Sequence, residues 1–157
     1  PKSNSIFQQG VEDVHMNVRL SKSQKIEIGS PGDIYEIMRK ILMRETRVGR
    51  EKEHFWVIGL NAGNEISYIE LVSLGSISAA IIKPLEVFNL AARKKSPKIV
   101  LVHNHPSGGL EPSLEDRVIT NRLVAGGKIL EIEVLDHLII TEESYFSFAE
   151  NDLLSSN

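Results

Sequence analysis

Apolar residues follow two different rhythms along this chain. In "PGDIYEIMRKILMRE" (31–45), Ile34, Ile37, Met38, Ile41 and Leu42 return at three- and four-residue intervals, which gathers them on one stripe of an α-helix. Ser30 and Pro31 ahead of them read as N-cap and first helical residue, and the helix is expected to stop near 47–49. "PLEVFNLAARKK" (84–95), opened by Pro84, turns Val87, Leu90 and Ala91 inward, and "PSLEDRVITNRLVAG" (112–126) reads as a third helix ending at Gly126 and Gly127. Elsewhere the runs suit strands. "EHFWVIGL" and "ISYIELVS" flank the turn "NAGNE" as a hairpin. "KIVLV" is a β-branched run typical of a strand covered on both faces, and "KILEIEVLDHLIIT" (128–141) reads as a long strand before "SYFSF".

The first dozen residues are polar and read as loose, partly disordered chain. "VHMNVRL" then alternates as a strand that "KIEI" is expected to pair with across "SKSQ". Residues 1–28 are therefore read as an N-terminal extension and 29–157 as one domain. No repeats or low-complexity segments interrupt it. Strands and helices interleave, so the expected class is α/β, a mixed β-sheet sandwiched between helices.

A chain of 157 residues, 41% hydrophobic, is long enough to bury a core without staples. The absence of Cys removes disulfides, thiolate nucleophiles and thiolate metal sites, so a metal here must be held by His, carboxylates and water. A net charge of −3 gives no footprint for nucleic acid or an anionic membrane. The one basic run, "ARKKSPK", suits a helix C-terminus. No stretch approaches the roughly 18 apolar residues of a membrane span, and "PKSNSIFQQG" has no apolar signal core. The reading is a soluble, cytoplasmic protein without membrane partners. The sequence begins at Pro1 and not at Met.

The chemistry gathers in "VLVHNHPSGGLEPSLEDRV" (100–118). His103 and His105 end a buried strand, and the period of two places both imidazoles on one side of the chain. Pro106 ends the strand, Gly108 and Gly109 let the backbone turn back, and Asp116 in the next helix can add a carboxylate. Two His and one carboxylate with the fourth position left to water is the pattern of a catalytic zinc site. Ser113 and Asp116 also fit a capping box that asks nothing of a metal, and one carboxylate can serve both. Hydrolysis needs a general base as well. Glu111 and Glu115 lie in the loop and helix start, and Glu53 stands at the mouth of the strand "HFWVIGL". The triplet His103-Asn104-His105 does not make an HNH nuclease, whose residues are dispersed through a larger motif.

His103-x-His105-Pro106, six residues, then Ser113-x-x-Asp116 resembles the JAMM motif of MPN-domain metallopeptidases in all its spacings. "HNHPSG", "PSLED", "LDHLII", "EHFWVIGLNAGNEI", "SLGSISAAIIKPLEVFNLA" and "YFSF" resemble the bacterial RadC family more closely still, over residues 29–148. The resemblance implies a JAB1/MPN-like fold of cytidine-deaminase-like architecture, with one Zn2+ held by His103, His105 and Asp116. It implies Ser113 as a donor near the developing oxyanion and Glu53 as general acid/base. Asp136 and His137, also shared, are taken as supporting groups behind the ligands. Lys83 and Leu85 depart from the family's usual residues at those places, and the helix-hairpin-helix segment that often precedes the domain is absent from the sequence.

The function expected is a zinc metallohydrolase cutting a peptide or isopeptide bond in a peptide or protein substrate. The alternative is a DNA repair or recombination accessory protein, as the RadC name implies, with DNA a partner that the charge balance does not support. A binding module that no longer turns over ranks last, because all three ligands are present. Zinc nucleobase deaminases, of related fold, are excluded by their need for Cys ligands.

Overall fold

A computed structural model of the chain describes residues 16–17 and 27–154. Among the described residues there are six strands, β1 (Met16–Asn17), β2 (Glu53–Leu60), β3 (Ile66–Gly75), β4 (Lys98–Asn104), β5 (Glu133–Ile140) and β6 (Tyr145–Ser147), in one sheet of order β1-β3-β2-β4-β5-β6. Four helices accompany them, α1 (Pro31–Met43), α2 (Arg47–Arg50), α3 (Pro84–Lys94) and α4 (Leu114–Leu130). β4 and β5 run parallel and every other pairing is antiparallel. The sheet is mixed, as expected.

Both faces of the central strands are covered, and the alternation along them decides by what. Trp56, Ile58 and Leu60 of β2 and Val100 and Val102 of β4 share one core with Ile34, Ile37, Met38, Ile41 and Leu42 of α1. Phe55, Val57, Ile99 and Leu101, one step along, join Val87, Phe88 and Leu90 of α3 and Ile119 and Leu123 of α4. The sheet is thus sandwiched between helices, and the near-continuous apolar runs of β2 and β4 follow from burial on two sides. Ser30 caps α1 in a reciprocal box with Asp33, with Pro31 in the first turn.

Three expected boundaries need correction. α1 ends at Met43, and Thr46 caps a further short helix, α2, over the residues where the chain was expected only to stop. α4 begins at Leu114, after its cap, and not at Pro112. It does not end at Gly126 and Gly127 but continues to Leu130, so β5 starts at Glu133 and not at 128. Gly127 lies against the chain that leaves the helix: a Cβ there would meet the carbonyl oxygen of Ile132 at 2.3 Å. The glycine serves close packing instead of a stop. The described pairings of the N-terminal segments are both to one hairpin, Met16 and Asn17 with β3 and Glu27 in a bridge to Glu65. The expected pairing of the two segments with each other, and the loose first dozen residues, lie outside the described residues. "ARKKSPK" is a helix end, with Arg93 and Lys94 in the last turn of α3 and Lys95 in the left-handed cap position.

Candidate metal centre

β4 is hydrogen-bonded on both sides, and its register sets His103 opposite Phe55 of β2 and Ile139 of β5. The ladder carries on one residue further, since the His105 N–H donates to the Ile140 carbonyl at 3.0 Å. Pro106, with no N–H, cannot continue it. The Gly108 N–H turns back to the His105 carbonyl at 3.0 Å, with Gly108 at φ +89, a conformation only glycine adopts freely. The returning chain enters α4 through a capping box: Ser113 Oγ accepts from the Asp116 N–H at 3.0 Å, and the Ser113 N–H donates to Asp116 Oδ2 at 2.9 Å. The cap holds the Asp116 carboxylate against both imidazoles.

His103 Nε2 and His105 Nε2 are 3.0 Å apart, His103 Nε2 is 3.3 Å from Asp116 Oδ1, and His105 Nε2 is 3.1 Å from Asp116 Oδ2. What stands behind each ring fixes where its proton sits. Thr120 Oγ1 has one hydrogen, and it goes to the Asp116 carbonyl at 2.7 Å, which can only accept. His137 Nδ1, 2.6 Å from the same hydroxyl oxygen, must therefore be a donor. Burial, foremost, lowers the pKa of His137 well below its ordinary value, so the ring is neutral and its Nε2 is an acceptor. His103 Nδ1, 2.7 Å from that Nε2, is then the donor, so in the neutral imidazole it is Nε2 that carries the lone pair. His105 Nδ1 faces the Gly109 carbonyl at 2.8 Å and donates to it, so when that ring is neutral its Nε2 carries the lone pair too.

With both rings neutral, two nitrogen lone pairs and a carboxylate thus converge with no hydrogen of their own between them. Such a cluster calls for a cation or a proton. The hydrogen bond to Asp116, foremost, raises the pKa of His105 against the opposing effect of burial. Burial by itself would raise the pKa of Asp116, but hydrogen bonds from His103 and His105 in their protonated forms outweigh it and hold the carboxyl below the usual carboxylate range. The three ligand atoms lie within 4.8 Å of one another and could hold a metal ion. Neutral imidazole Nε2 with a carboxylate oxygen is a donor set that suits zinc.

Glu53, His103, His105, Ser113 and Asp116 line one cavity of about 460 Å³. Glu53 is half-buried at the start of β2. The Ser113 hydroxyl accepts from α4 and keeps its proton free to donate outward. Glu115 is engaged elsewhere, its Oε1 accepting from the Ala79 N–H at 2.5 Å, and neither it nor Glu111 lines the cavity. Lys83 and Leu85 do not line it either, and Leu85 is 81% exposed.

Asp136 is not at the cavity. Its carboxylate accepts from Ser147 Oγ at 2.6 Å, from the Ala149 N–H at 2.9 Å and from the His137 N–H at 2.7 Å, tying the C-terminal segment to β5. Burial raises its pKa despite these bonds. His137 stands directly behind His103. Sequence reasoning missed Thr120, although its position four residues after Asp116 puts it on the same helix face.

The chain matches the model of the RadC-like JAB domain over residues 28–153. It is 37% identical over 142 residues to the UPF0758 protein of Chlorobium chlorochromatii (strain CaD3), covering 90% of this chain and 62% of that one. It is 43% identical over 144 residues to the UPF0758 protein of Alkaliphilus metalliredigens (strain QYMF), covering 90% and 60%. With the UPF0758 protein of Methanosarcina mazei the identity is 44% over 126 residues, covering 80% and 53%. The chain therefore spans about three fifths of the length of the curated relatives it matches. With its JAMM spacing, its mixed sheet between helices and a match over nearly all its described residues, this chain belongs to the RadC family and is a RadC-like JAB domain.

Proposed function

We propose that the domain is a zinc-dependent hydrolase that cuts a peptide or isopeptide bond. The observation that carries the reading is the convergence of two imidazoles and one carboxylate at a cavity that a second carboxylate, of Glu53, and the Ser113 hydroxyl also line. His103, His105 and Asp116 would hold a zinc ion, which would supply Lewis-acid chemistry for making water nucleophilic near neutral pH and for polarising a carbonyl. Glu53 takes a proton from the attacking water and returns it to the leaving nitrogen. Ser113 donates its hydroxyl proton toward the oxygen that gains charge.

Charge around the cavity supports a peptide over a nucleic acid. Among the described residues its lining carries Glu51, Glu53 and Asp116 and no Lys or Arg, which repels a phosphodiester and tolerates a neutral or cationic substrate. The test is Glu53→Gln, assayed for zinc by elemental analysis and for hydrolysis against a proteome-derived peptide library. Zinc occupancy near that of the parent with hydrolysis lowered by roughly 100-fold or more is expected. Undiminished hydrolysis would remove Glu53 from the chemistry, and loss of zinc would make it a ligand. Binding to duplex DNA that weakens steeply with salt would favour the DNA-associated reading instead.

A further inference from the structure

We infer that Asn104, the residue between the two histidines, is the positioning residue for Glu53. Its side chain lies on the face of β4 opposite to theirs, and it is buried, 1% exposed. The last rung between β2 and β4 is Phe55 with His103. Beyond that rung Asn104 replaces the missing strand with its side chain. Its Oδ1 accepts from the His54 N–H at 2.6 Å, while its Nδ2 donates to the Lys52 carbonyl at 3.0 Å and, more weakly, to the Arg50 carbonyl at 3.4 Å.

One planar amide thus grips the residue before Glu53 and the residue after it. The task needs an acceptor and a donor on one rigid group, which an amide supplies and a carboxylate or a hydroxyl of similar size does not. The segment it holds links α2 to β2, so the grip fixes from the β4 side a strand start that β3 pairs only from the other side, where Glu53 stands opposite Gly75. Asn104 also ties the two halves of the centre together, because the strand end that presents His103 and His105 is the one that holds the Glu53 backbone. A buried polar side chain with both ends satisfied resists displacement, since each broken bond would leave a buried group unpaired.

The inference rests on the proposed proton-shuttle role of Glu53, and the experiment separates the two. The protein is loaded with Co2+, and the pH midpoint at which its visible spectrum changes is measured for the parent, Glu53→Gln, Asn104→Ala and the double variant, with metal content checked in each. A carboxylate above the metal raises that midpoint, so Glu53→Gln is expected to lower it by about one pH unit. Asn104→Ala is expected to lower it in the same direction with metal content unchanged, and the double variant to go no further than Glu53→Gln. A parental midpoint in Asn104→Ala beside a shifted one in Glu53→Gln overturns the positioning role alone. A parental midpoint in Glu53→Gln overturns the shuttle role and this inference with it. Should Asn104→Ala not fold, Asn104→Ser serves, since its uncharged hydroxyl cannot span both partners; its midpoint should also fall, and an unmoved one counts against Asn104.

Discussion

His137 Nε2 stands 2.7 Å behind His103 Nδ1, inside the core, and the other nitrogen of that ring, Nδ1, lies 2.6 Å from the Thr120 hydroxyl. The chain of bonds from the Asp116 carbonyl through Thr120 and His137 to His103 leaves only one arrangement of protons. It selects the tautomer of His103 that turns a lone pair toward the centre. Removing it should weaken the metal without removing a ligand.

Thr120→Val keeps the shape of a fully buried side chain and deletes the hydroxyl. Zinc affinity, measured by competition with a chelator, is expected to fall by roughly 10- to 100-fold, the usual loss when a group supporting a ligating His is removed. His103→Ala and His105→Ala are expected to abolish stoichiometric zinc with most of the fold intact. Parental affinity in Thr120→Val would mean that His103 finds its tautomer unaided.

His137 also predicts how the metal-free protein responds to acid. Its pKa is lowered in the folded state, so below about pH 6.5 the unfolded chain binds a proton that the folded one refuses. Stability contributed by the neutral ring is fully present above that pH and is lost as pH falls, at up to about 1.4 kcal/mol per unit. Urea denaturation of the parent and of His137→Gln at pH 7 and pH 5.5 isolates this part, because the other titrations are common to both. The difference between the two proteins should shrink on acidification. A constant difference would mean that His137 takes up its proton as readily in the folded chain as in the unfolded one.

Ser113 and Asp116 cap α4 for each other, so their variants should divide along two measurements. Ser113→Ala removes the acceptor for the Asp116 N–H and is expected to cost about 1 kcal/mol of stability with zinc retained. Asp116→Asn keeps an oxygen for the Ser113 N–H but loses the charge, and is expected to lose zinc at nearly parental stability. Melting temperature and elemental analysis on the pair decide; zinc bound stoichiometrically by Asp116→Asn would leave the carboxylate a cap only.

The ligands were legible in the sequence because their geometry is local. A period of two sets His103 and His105 together, and the Ser-x-x-Asp spacing of a capping box places Asp116. Glu53 was one acid among several until the family resemblance singled it out, since its position over the cavity depends on how β2 lies beside β4. Thr120 and His137 meet across a helix and a strand 17 residues apart in sequence, and no periodicity announces such a meeting. Asn104 was legible only as the middle of a triplet, because its partners are backbone groups around Glu53. The sandwich itself followed from the two rhythms of apolar residues. The end of α4 did not, because Gly-Gly signals a stop and a close packing equally well.

Gly126 and Gly127 separate those two meanings. At Gly127 an added Cβ would sit 2.3 Å from the Ile132 carbonyl oxygen, in the turn where the Ile132 N–H returns to the Gly127 carbonyl at 2.8 Å. Backbone cannot step aside as a side chain can, so Gly127→Ala is expected to destabilise by about 1–3 kcal/mol, as overpacking does. At Gly126 the nearest neighbour of a Cβ is the Phe88 ring at 3.4 Å, an ordinary contact. There the helix gains alanine's better propensity, about 1 kcal/mol, and Gly126→Ala is expected to equal or exceed the parent. Urea denaturation midpoints of the two variants give the comparison directly. If Gly127→Ala proved as stable as Gly126→Ala, α4 would have to part from the start of β5 at no cost, and the close approach would not be what keeps glycine at that position.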